Sequence, residues 1–498
     1  MLSSPWVLVT AMVLFAAQAA WVALAASPVI YDEHYHVAAI DAFSRRWTPF
    51  IDQTVADGPL GDAERYGSYL YHYMMSFPWR LTGAAGLSPE HRMLVIRLIT
   101  VVIVTGALYA WWSFFHEVGA SPAVANVAVG IVSATPLIVF LGGFVNYDNA
   151  LFLVVPFFLR SAARLAMAER LLVSEWLRFI IIAGVGCLTK YTFVPLVPLV
   201  ALVVLIQQVR VVRRGRTEEL QGYISAPRDR LWWGRLALIG GAILSVCLVA
   251  ERYLMNVVRY GSVVPDCLAV HELDLCQMHP PWARNMELDA AFEDRPGTMN
   301  GAFSFLTGHW VPIMLKNMTW YGTVSGDGIV QSRGPAITGV ILYLAIPALL
   351  GVLVLAGGYL LRSRAIRMVV GTSVLYVIVL FALNYSDFLR MGVAIGIAGR
   401  YVLILLPIVI GLACIGAARL LGGESPPPAS RATKVVLLGI VLLLCTQGGG
   451  ATSFFWSVDE AWLKHPEGRS GQVTMLMHSV VERLIVPDSA VVDPRFAG

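Results

Sequence analysis

The strongest constraint on this chain is a series of apolar runs, each long enough to cross a lipid bilayer. A membrane-spanning helix needs about 20 mostly apolar residues, and the sequence carries about eleven such runs, with a range of about 10 to 13. They cover roughly residues 6–26, 93–115, 122–141, 148–166, 177–189, 191–208, 236–255, 335–360, 368–385, 400–421 and 435–450. The runs at 177–189 and 191–208 abut, so one long kinked element remains an alternative there.

Composition supports the same class. Of the 498 residues, 57% are hydrophobic and only 14% are charged, so a water-soluble fold cannot bury all the apolar surface. The net charge of +4 is too small to indicate a nucleic-acid partner. We therefore expect an all-α polytopic membrane protein.

The distribution of arginine predicts the orientation of the spans. Arginines fill the short connections at 209–235 and 361–367, and the positive-inside rule places such loops in the cytoplasm. The N-terminus is then cytoplasmic, and the long loops 27–92 and 256–334 face the periplasm or the cell exterior. We expect residues 1–450 to form one transmembrane domain of the plasma (inner) membrane, followed by a short exported tail, 451–498.

Ionisable residues near the hydrocarbon are costly and therefore mark candidate functional sites. In this topology they gather on the outer face. An acidic pair, Asp32 and Glu33, follows the first span, and Lys190 joins two later spans. The same face also receives Arg97, Asn146, Asp148, Tyr191, Arg400 and Tyr401. The sequence therefore predicts carboxylates and cations around one outward cleft.

Structural interpretations of these residues also remain open. Segment 33–47 has the apolar spacing of an amphipathic helix at the membrane interface, and Asp32 with Glu33 can simply cap it. Asp148 can pair with Lys190 for stability alone. Arg400 can extend its side chain to the lipid headgroups.

Histidine and cysteine leave two further questions open. His34 and His36 flank the carboxylates, but no spacing matches a known ligand pattern, so we assign no metal ligands and leave a divalent cation open. Cys267 and Cys276 share loop 256–334, where an oxidising exterior permits a disulfide.

This arrangement suits group transfer outside the membrane. A carboxylate can act as general base toward an acceptor hydroxyl, and nearby cations can stabilise a phosphate leaving group. The chain has no glycine-rich dinucleotide motif after a strand and no phosphate-binding loop of the Gly-Lys-Ser/Thr kind. The activated group must therefore be carried by the lipid phase, and a polyprenyl-phosphate sugar fits that requirement.

Five short motifs resemble those of the GT-C membrane glycosyltransferases, which include the protein O-mannosyltransferases and the bacterial lipid A aminoarabinose transferases. Related bacterial families of unassigned acceptor share the last motif. Residues 31–36, Tyr-Asp-Glu-His-Tyr-His, are similar to the aromatic-Asp-Glu-x-His signature after the first span. The others are Arg97-Leu98, Asn146-Tyr147-Asp148-Asn149-Ala150, Leu188-Thr189-Lys190-Tyr191 and Gly399-Arg400-Tyr401 with Pro407.

The resemblance implies a GT-C-like fold and a role for each matching residue. Asp32 would be the general base, and Glu33 would orient the acceptor or the first-loop helix. The donor phosphate would be bound by Lys190 and Arg400, with Arg97 and Tyr401 as further candidates. The pocket would be lined by His34, His36, Asn146, Asp148, Tyr191 and Trp320.

The resemblance also implies an inverting hexosyl- or pentosyltransferase that uses a polyprenyl-phosphate-linked sugar as co-substrate. Membrane lipid and an acceptor glycan, lipid or protein are the expected partners, no nucleic acid is expected, and no cofactor is firmly implied. Two other functions stay open, which are a transporter or flippase of lipid-linked glycans and a polymerase or ligase with lipid-diphosphate donors. A transporter typically has inverted repeats and midplane charges, and the sequence shows no repeat.

Overall fold

The computed structural model is built from α-helices, as expected for an all-α membrane protein. It describes residues 2–27, 32–50, 68–215, 232–278, 280–293, 301–319, 323–325, 328–330, 337–422, 454–455, 458 and 462–485. The first ten helices are α1 Pro5–Ala25, α2 Glu33–Ser44, α3 Leu70–Ala84, α4 Pro89–Glu117, α5 Pro122–Ala134, α6 Pro136–Gly142, α7 Tyr147–Met167, α8 Val173–Thr189, α9 Leu196–Arg213 and α10 Trp232–Val249.

Within the described residues, ten more helices and one small hairpin follow. The helices are α11 Met255–Tyr260, α12 Cys267–Val270, α13 Leu273–Gln277, α14 Pro280–Glu293, α15 Ala302–Phe305, α16 Val311–Thr319, α17 Ile337–Leu360, α18 Arg364–Met391, α19 Leu406–Gly422 and α20 Arg469–Ile485. Strands β1 Thr323–Ser325 and β2 Gly328–Val330 pair antiparallel. Short 3₁₀ turns occupy Tyr191–Phe193 and Gly399–Val402, and π-turns occupy Ala250–Leu254 and Leu306–Trp310.

Several helices are long and apolar enough to cross a membrane. Six pass that test among the described residues, and the α5–α6 pair, bent by 67°, makes a seventh if it is one span. Shorter apolar helices lie at Ala302–Leu315, Leu349–Leu360 and Leu406–Leu420. The chain is thus a multi-pass membrane protein. The first ten predicted runs coincide with helices, 435–450 lies outside the described residues, and the count of eleven stays a prediction.

Helix starts in the membrane domain follow local sequence rules. Pro5, Pro89 and Pro122 each occupy the first helical position, where a missing backbone N–H costs nothing because no partner exists there. At α7 the Asn146 side chain accepts a hydrogen bond from the Asp148 N–H at 2.8 Å. This N-cap fixes the first turn of α7 and with it the position of the Asp148 carboxylate.

The core of the helical domain is packed closely around α1, α4 and α7. Phe15 on α1 and Trp111 and Phe114 on α4 are fully buried. Where α6 ends against α1, a side chain at Gly143 would meet the Ala19 carbonyl oxygen at 2.9 Å. Small residues at such contacts let helix backbones approach, which is how helices associate in lipid.

A layer of two amphipathic helices covers one end of this bundle. The predicted helix 33–47 is observed as α2, and its apolar residues Ile40 and Phe43 are buried at 0% and 2% exposure. Helix α3 packs along α2.

Further along the chain, Cys267 and Cys276 form the disulfide that the sequence left open.

Candidate active site

The Asp32 carboxylate lies against Arg400. The Arg400 Nη2–H donates a hydrogen bond to Asp32 Oδ2 at 2.6 Å. Asp32 occupies the N-cap position of α2, yet its side chain makes no capping hydrogen bond. Its φ of 59° is the left-handed conformation, which no other described non-glycine residue adopts. Such a backbone is costly for a side-chain-bearing residue and is often found at functional sites.

A second ion pair lies directly beside the first. Lys190 Nζ contacts Asp148 Oδ1, and both side chains are buried, at 3% and 5% exposure. Arg400 Nε lies 4.0 Å from the second carboxylate oxygen of Asp148. Arg400 is therefore drawn inward between Asp32 and Asp148 and does not extend to lipid headgroups. Two cations and two carboxylates from four distant segments share one cleft.

Aromatic rings frame the two cations. Lys190 Nζ lies 4.7 Å from the centre of the Tyr147 ring and 4.8 Å from that of Tyr401. The Tyr376 hydroxyl of α18 donates to the Tyr401 carbonyl at 2.7 Å, which holds the 3₁₀ turn that carries Arg400. Cation–π contacts of this kind stabilise a desolvated ammonium, so the two rings help to hold the buried Lys190 side chain in place.

Glu33 points away from Asp32 into a fully buried pocket. Arg97 Nε and Nη2 donate to its two oxygens at 2.9 and 2.5 Å. The Val145 N–H donates to Glu33 Oε1 at 2.8 Å. The remaining Arg97 nitrogen, Nη1, donates to the carbonyls of Ala23 and Ala26 at 2.9 and 2.8 Å. The bidentate pair ties the end of α1, the start of α2 and α4 together at the base of the cleft.

A histidine pair lies between α2 and α3, beside the cleft. His36 Nδ1 and His72 Nε2 are hydrogen-bonded at 2.9 Å, and both side chains are buried. The His36 ring meets the Tyr147 ring edge-on at 4.7 Å. Burial lowers the pKa of His72 to about 4, and burial next to His72 lowers the pKa of His36 well below its ordinary value. Both rings are therefore neutral at pH 7.

A small apolar crevice lies beside Tyr376. Its lining includes Phe158 of α7, Phe193 after Lys190, Val369 and Tyr376 of α18, and Ile404. The crevice therefore adjoins the polar cleft through Tyr376, which also supports the Tyr401 carbonyl.

The structure brings most of the predicted site residues together but separates some. Asp32, Asp148, Lys190, Arg400 and Tyr401 share the cleft, whereas Arg97 lies in the buried pair with Glu33. His34 is exposed on α2, and Tyr191 is half-buried against the core. Trp320 lies outside the described residues, and within them no group of three or more His, Cys, Asp or Glu side chains is placed to hold a metal ion.

Three groups at the site were not singled out from the sequence. His72 pairs with His36, Tyr376 supports Tyr401, and the Val145 N–H binds Glu33. His72 carried a weak signal, since an ionisable residue near the membrane marks a candidate site. A backbone N–H carries no signal in sequence at all.

The match to a known family falls on the central part of this site. Residues 73–222 match the family model of dolichyl-phosphate-mannose-protein mannosyltransferase. This match confirms the GT-C resemblance. The matched segment contains Arg97, Asp148 and Lys190, while Asp32 precedes it and Arg400 follows it. The chain is thus similar to a family of glycosyltransferases that use lipid-phosphate-linked sugars. No curated protein sequence matches the chain.

Three solved structures are distant neighbours. ArnT from Cupriavidus metallidurans bound to undecaprenyl phosphate is 15% identical, with a TM-score of 0.40, and the match covers 88% of this chain and 62% of that one. The archaeal oligosaccharyltransferase AglB from Archaeoglobus fulgidus, in complex with an inhibitory peptide and a dolichol-phosphate, is 13% identical, with a TM-score of 0.43. There the match covers 90% of this chain and 57% of AglB.

ArnT in the apo state is 14% identical, with a TM-score of 0.38, and the match covers 96% of this chain and 77% of that one. The chain thus spans about three fifths of the length of the first two neighbours.

Proposed function

We propose that this chain is an inverting glycosyltransferase that moves a sugar from a polyprenyl-phosphate-linked donor to an acceptor hydroxyl. One observation carries the proposal. The Asp32 carboxylate lies against Arg400, and Arg400 adjoins the buried Lys190–Asp148 pair. A base and two cations within one cleft are the groups that displacement of a phosphate leaving group needs. The matched family name, with its dolichyl-phosphate-linked sugar, supports the same class of donor.

The reaction is a single displacement. The acceptor hydroxyl oxygen attacks the anomeric carbon, and its proton passes to Asp32. The bond between the anomeric carbon and the phosphate oxygen breaks, and its electron pair stays on that oxygen. The phosphodiester of the donor thereby becomes a phosphate monoester with one more negative charge. Lys190 and Arg400 stabilise this developing charge. The acceptor oxygen attacks the anomeric carbon on the side opposite the departing phosphate, so the anomeric configuration inverts.

Glu33 and Arg97 position the reacting groups in this proposal. Glu33 is 1% exposed and both of its oxygens are occupied, so a direct role toward acceptor or phosphate is disfavoured for either residue of the pair. Glu33 is bonded to the base residue Asp32 through the backbone, and Arg97 holds it. We therefore assign the phosphate to Lys190 and Arg400, and assign Arg97 to the support of the acidic pair.

The remaining predicted pocket residues fall around the proposed donor. Tyr401 and Tyr147 border the Lys190 ammonium. His36 lies behind Tyr147, and Asn146 caps α7.

The distribution of charge along the helices favours an enzyme over a transporter. Asp32 precedes α2, Asp148 lies in the first turn of α7, and Lys190 and Arg400 lie in breaks next to helix ends. Transporters typically hold their ionisable groups near the bilayer midplane. We propose that this end of the bundle faces the periplasm or cell exterior, with residues 1–450 as the catalytic domain in the plasma (inner) membrane.

The decisive experiment is sugar transfer by purified protein in lipid vesicles. Asp32→Asn keeps the size of the side chain but removes the base, so we expect turnover to fall at least about 100-fold. Asp274→Asn changes an exposed carboxylate of α13 and serves as the matched control. Wild-type turnover by Asp32→Asn would refute the proposed base. Sugars linked through one phosphate and through two phosphates are supplied in parallel, and preference for the diphosphate would favour a polymerase or ligase.

A further inference from the structure

The segment before α20 is bonded to the stretch that leads into the acidic pair. Ala26 and Leu463 form an antiparallel β-bridge. The Ser27 N–H donates to the Trp462 carbonyl at 2.7 Å, and the Lys464 N–H donates to the Ala25 carbonyl at 3.0 Å. Residues 462–464 thus lie as a short strap across the end of α1.

The strap is buried by apolar packing. Trp462 and Leu463 are 2% and 5% exposed and belong to one cluster with Val22, Phe140 and Phe144. The Trp462 ring centre lies 6.1 Å from that of Phe140. Burying a large aromatic side chain contributes a few kcal/mol on ordinary scales, so the strap is held by more than its two backbone bonds.

The strap also reaches the helix that carries Arg97. Lys464 Nζ lies 3.5 Å from Glu90 Oε2 in the first turn of α4, and His465 Nε2 lies 3.7 Å from the same oxygen. Glu90 is 59% exposed, so these ion pairs contribute little by themselves. They do place the strap between α1 and α4, the two helices that meet at Arg97.

The residues that the strap contacts are those that hold Arg97. The Ala26 carbonyl, on the residue bridged to Leu463, accepts a hydrogen bond from Arg97 at 2.8 Å. The Phe144 ring of the strap's apolar cluster lies 4.7 Å from the Arg97 guanidinium. Arg97 in turn binds both oxygens of Glu33. A continuous path of contacts therefore runs from the strap to the residue next to Asp32.

We propose that residues 462–464 are positioning residues for the acidic pair, acting through Ala26 and Arg97. This inference rests on the proposed function, because it assigns the acidic pair to catalysis. Loss of the strap lets the Arg97–Glu33 pair shift, and Asp32 then approaches the acceptor with the wrong geometry. Lys190 and Arg400 lie on other segments, so binding of the donor phosphate is retained.

The test removes one backbone hydrogen bond. Lys464→Pro deletes the N–H that donates to Ala25, and Leu463 in the β-bridge already has the extended backbone that a following proline requires. Lys464→Ala is the matched control, since it loses the ion pair with Glu90 but keeps the N–H. We expect kcat to fall about tenfold in Lys464→Pro with donor KM unchanged, and both to stay within about twofold in Lys464→Ala.

A covalent strap gives a rescue experiment. Ala26 and Leu463 face each other as a non-hydrogen-bonded pair, whose Cα atoms lie about 4.5 Å apart, within disulfide range. Ala26→Cys with Leu463→Cys, in a chain whose Cys187, Cys247, Cys414 and Cys445 are alanine, should cross-link in oxidised membranes. The cross-link should restore kcat to Lys464→Pro, and reduction should remove it again. The same reduction, which also opens Cys267–Cys276, should leave the kcat of the chain without Ala26→Cys and Leu463→Cys unchanged. The proposal is overturned if the folded double-cysteine chain does not cross-link. It is also overturned if the cross-linked Lys464→Pro chain does not recover its kcat.

A readout without substrate separates this inference from the proposed function. The Val145 N–H is bonded to Glu33, so its hydrogen exchange reports on the acidic pair. Exchange at Val145 should accelerate at least about tenfold in Lys464→Pro but not in Lys464→Ala, while peptides of α8 and α9 stay unchanged. Unchanged exchange at Val145 in Lys464→Pro would overturn the proposed positioning role of residues 462–464. Equal acceleration of exchange in all peptides would show that these residues only stabilise the fold. If the unmodified chain transfers no sugar but Val145 still exchanges faster in Lys464→Pro, the proposed transferase activity is refuted. The positioning of the Glu33–Arg97 pair by residues 462–464 is then retained.

Discussion

Arg400 and Asp32 stand 368 positions apart in the sequence, yet the guanidinium donates to the carboxylate at 2.6 Å. The proposed base and a proposed phosphate-binding cation are thus bound to each other. We therefore expect a donor phosphate bound to Arg400 to lie beside the carboxylate that takes the acceptor proton.

Arg400 is expected to matter for donor use in particular. Arg400→Gln removes one cation from the leaving phosphate, and we expect kcat/KM for the donor to fall about 100- to 1000-fold. The measurement is initial rate against donor concentration in vesicles. Arg390→Gln is the matched control, because Arg390 lies in the last turn of α18, is 48% exposed and lies 3.5 Å from Asp289. A change within about twofold in Arg400→Gln, as expected for the surface control, would contradict the assignment.

Variants of the Lys190–Asp148 pair can show whether the pair binds the donor phosphate or only stabilises the fold. Lys190→Met takes the nearer cation from the buried Asp148 carboxylate, which keeps Arg400 Nε at 4.0 Å, and should cost about 3 kcal/mol of stability. Adding Asp148→Leu removes the stranded charge, so the thermal unfolding midpoint should recover. Binding of undecaprenyl phosphate and sugar transfer should stay lost, because the phosphate ligand is gone. Recovery of transfer together with stability would show that the pair is structural only.

The Glu33–Arg97 pair is expected to control turnover and not donor affinity. Arg97→Lys keeps a positive charge but cannot make the bidentate bond and the two carbonyl bonds at once. We expect transfer to fall about tenfold or more, with undecaprenyl phosphate binding unchanged. Arg92→Lys, in the first turn of the same helix, is the control. A selective loss of phosphate binding in Arg97→Lys would instead place Arg97 at the donor.

The buried histidine pair predicts a pH dependence of stability. The pKa of His72 is lowered to about 4, so the unfolded chain binds more protons than the folded one between about pH 6.5 and pH 4. Above pH 6.5 His72 does not lower the free energy of unfolding, because its ring is neutral in both the folded and the unfolded chain. As the pH drops from about 6.5 to about 4, His72 lowers the free energy of unfolding by roughly 3 kcal/mol. Thermal unfolding midpoints measured from pH 7 to pH 4 should show this decline.

His72→Gln is the variant that tests the origin of the decline. Glutamine can keep a hydrogen bond to His36 but does not titrate, so the midpoint should depend less on pH. An unchanged slope would assign the acid sensitivity to other groups.

The sequence was sufficient for the class of fold and for most of the cleft residues. Apolar runs of bilayer length predict helices because every backbone polar group in lipid must be bonded within its own segment. Charged residues next to those runs were conspicuous for the same reason, since water is absent to solvate them. Asp32, Asp148, Lys190 and Arg400 could therefore be selected before any fold was known.

Only the tertiary structure decided which of these charges face one another. Arg97 was grouped with the donor phosphate from the sequence, but helix packing buries it against Glu33, 64 positions away. Contacts between distant segments also revealed the roles of His72, Tyr376 and the Trp462–Lys464 strap, none of which was predicted from the sequence. Hydrophobic period and length act within one segment, whereas ion pairs and backbone bridges depend on how distant segments pack, and that information is not local in the sequence.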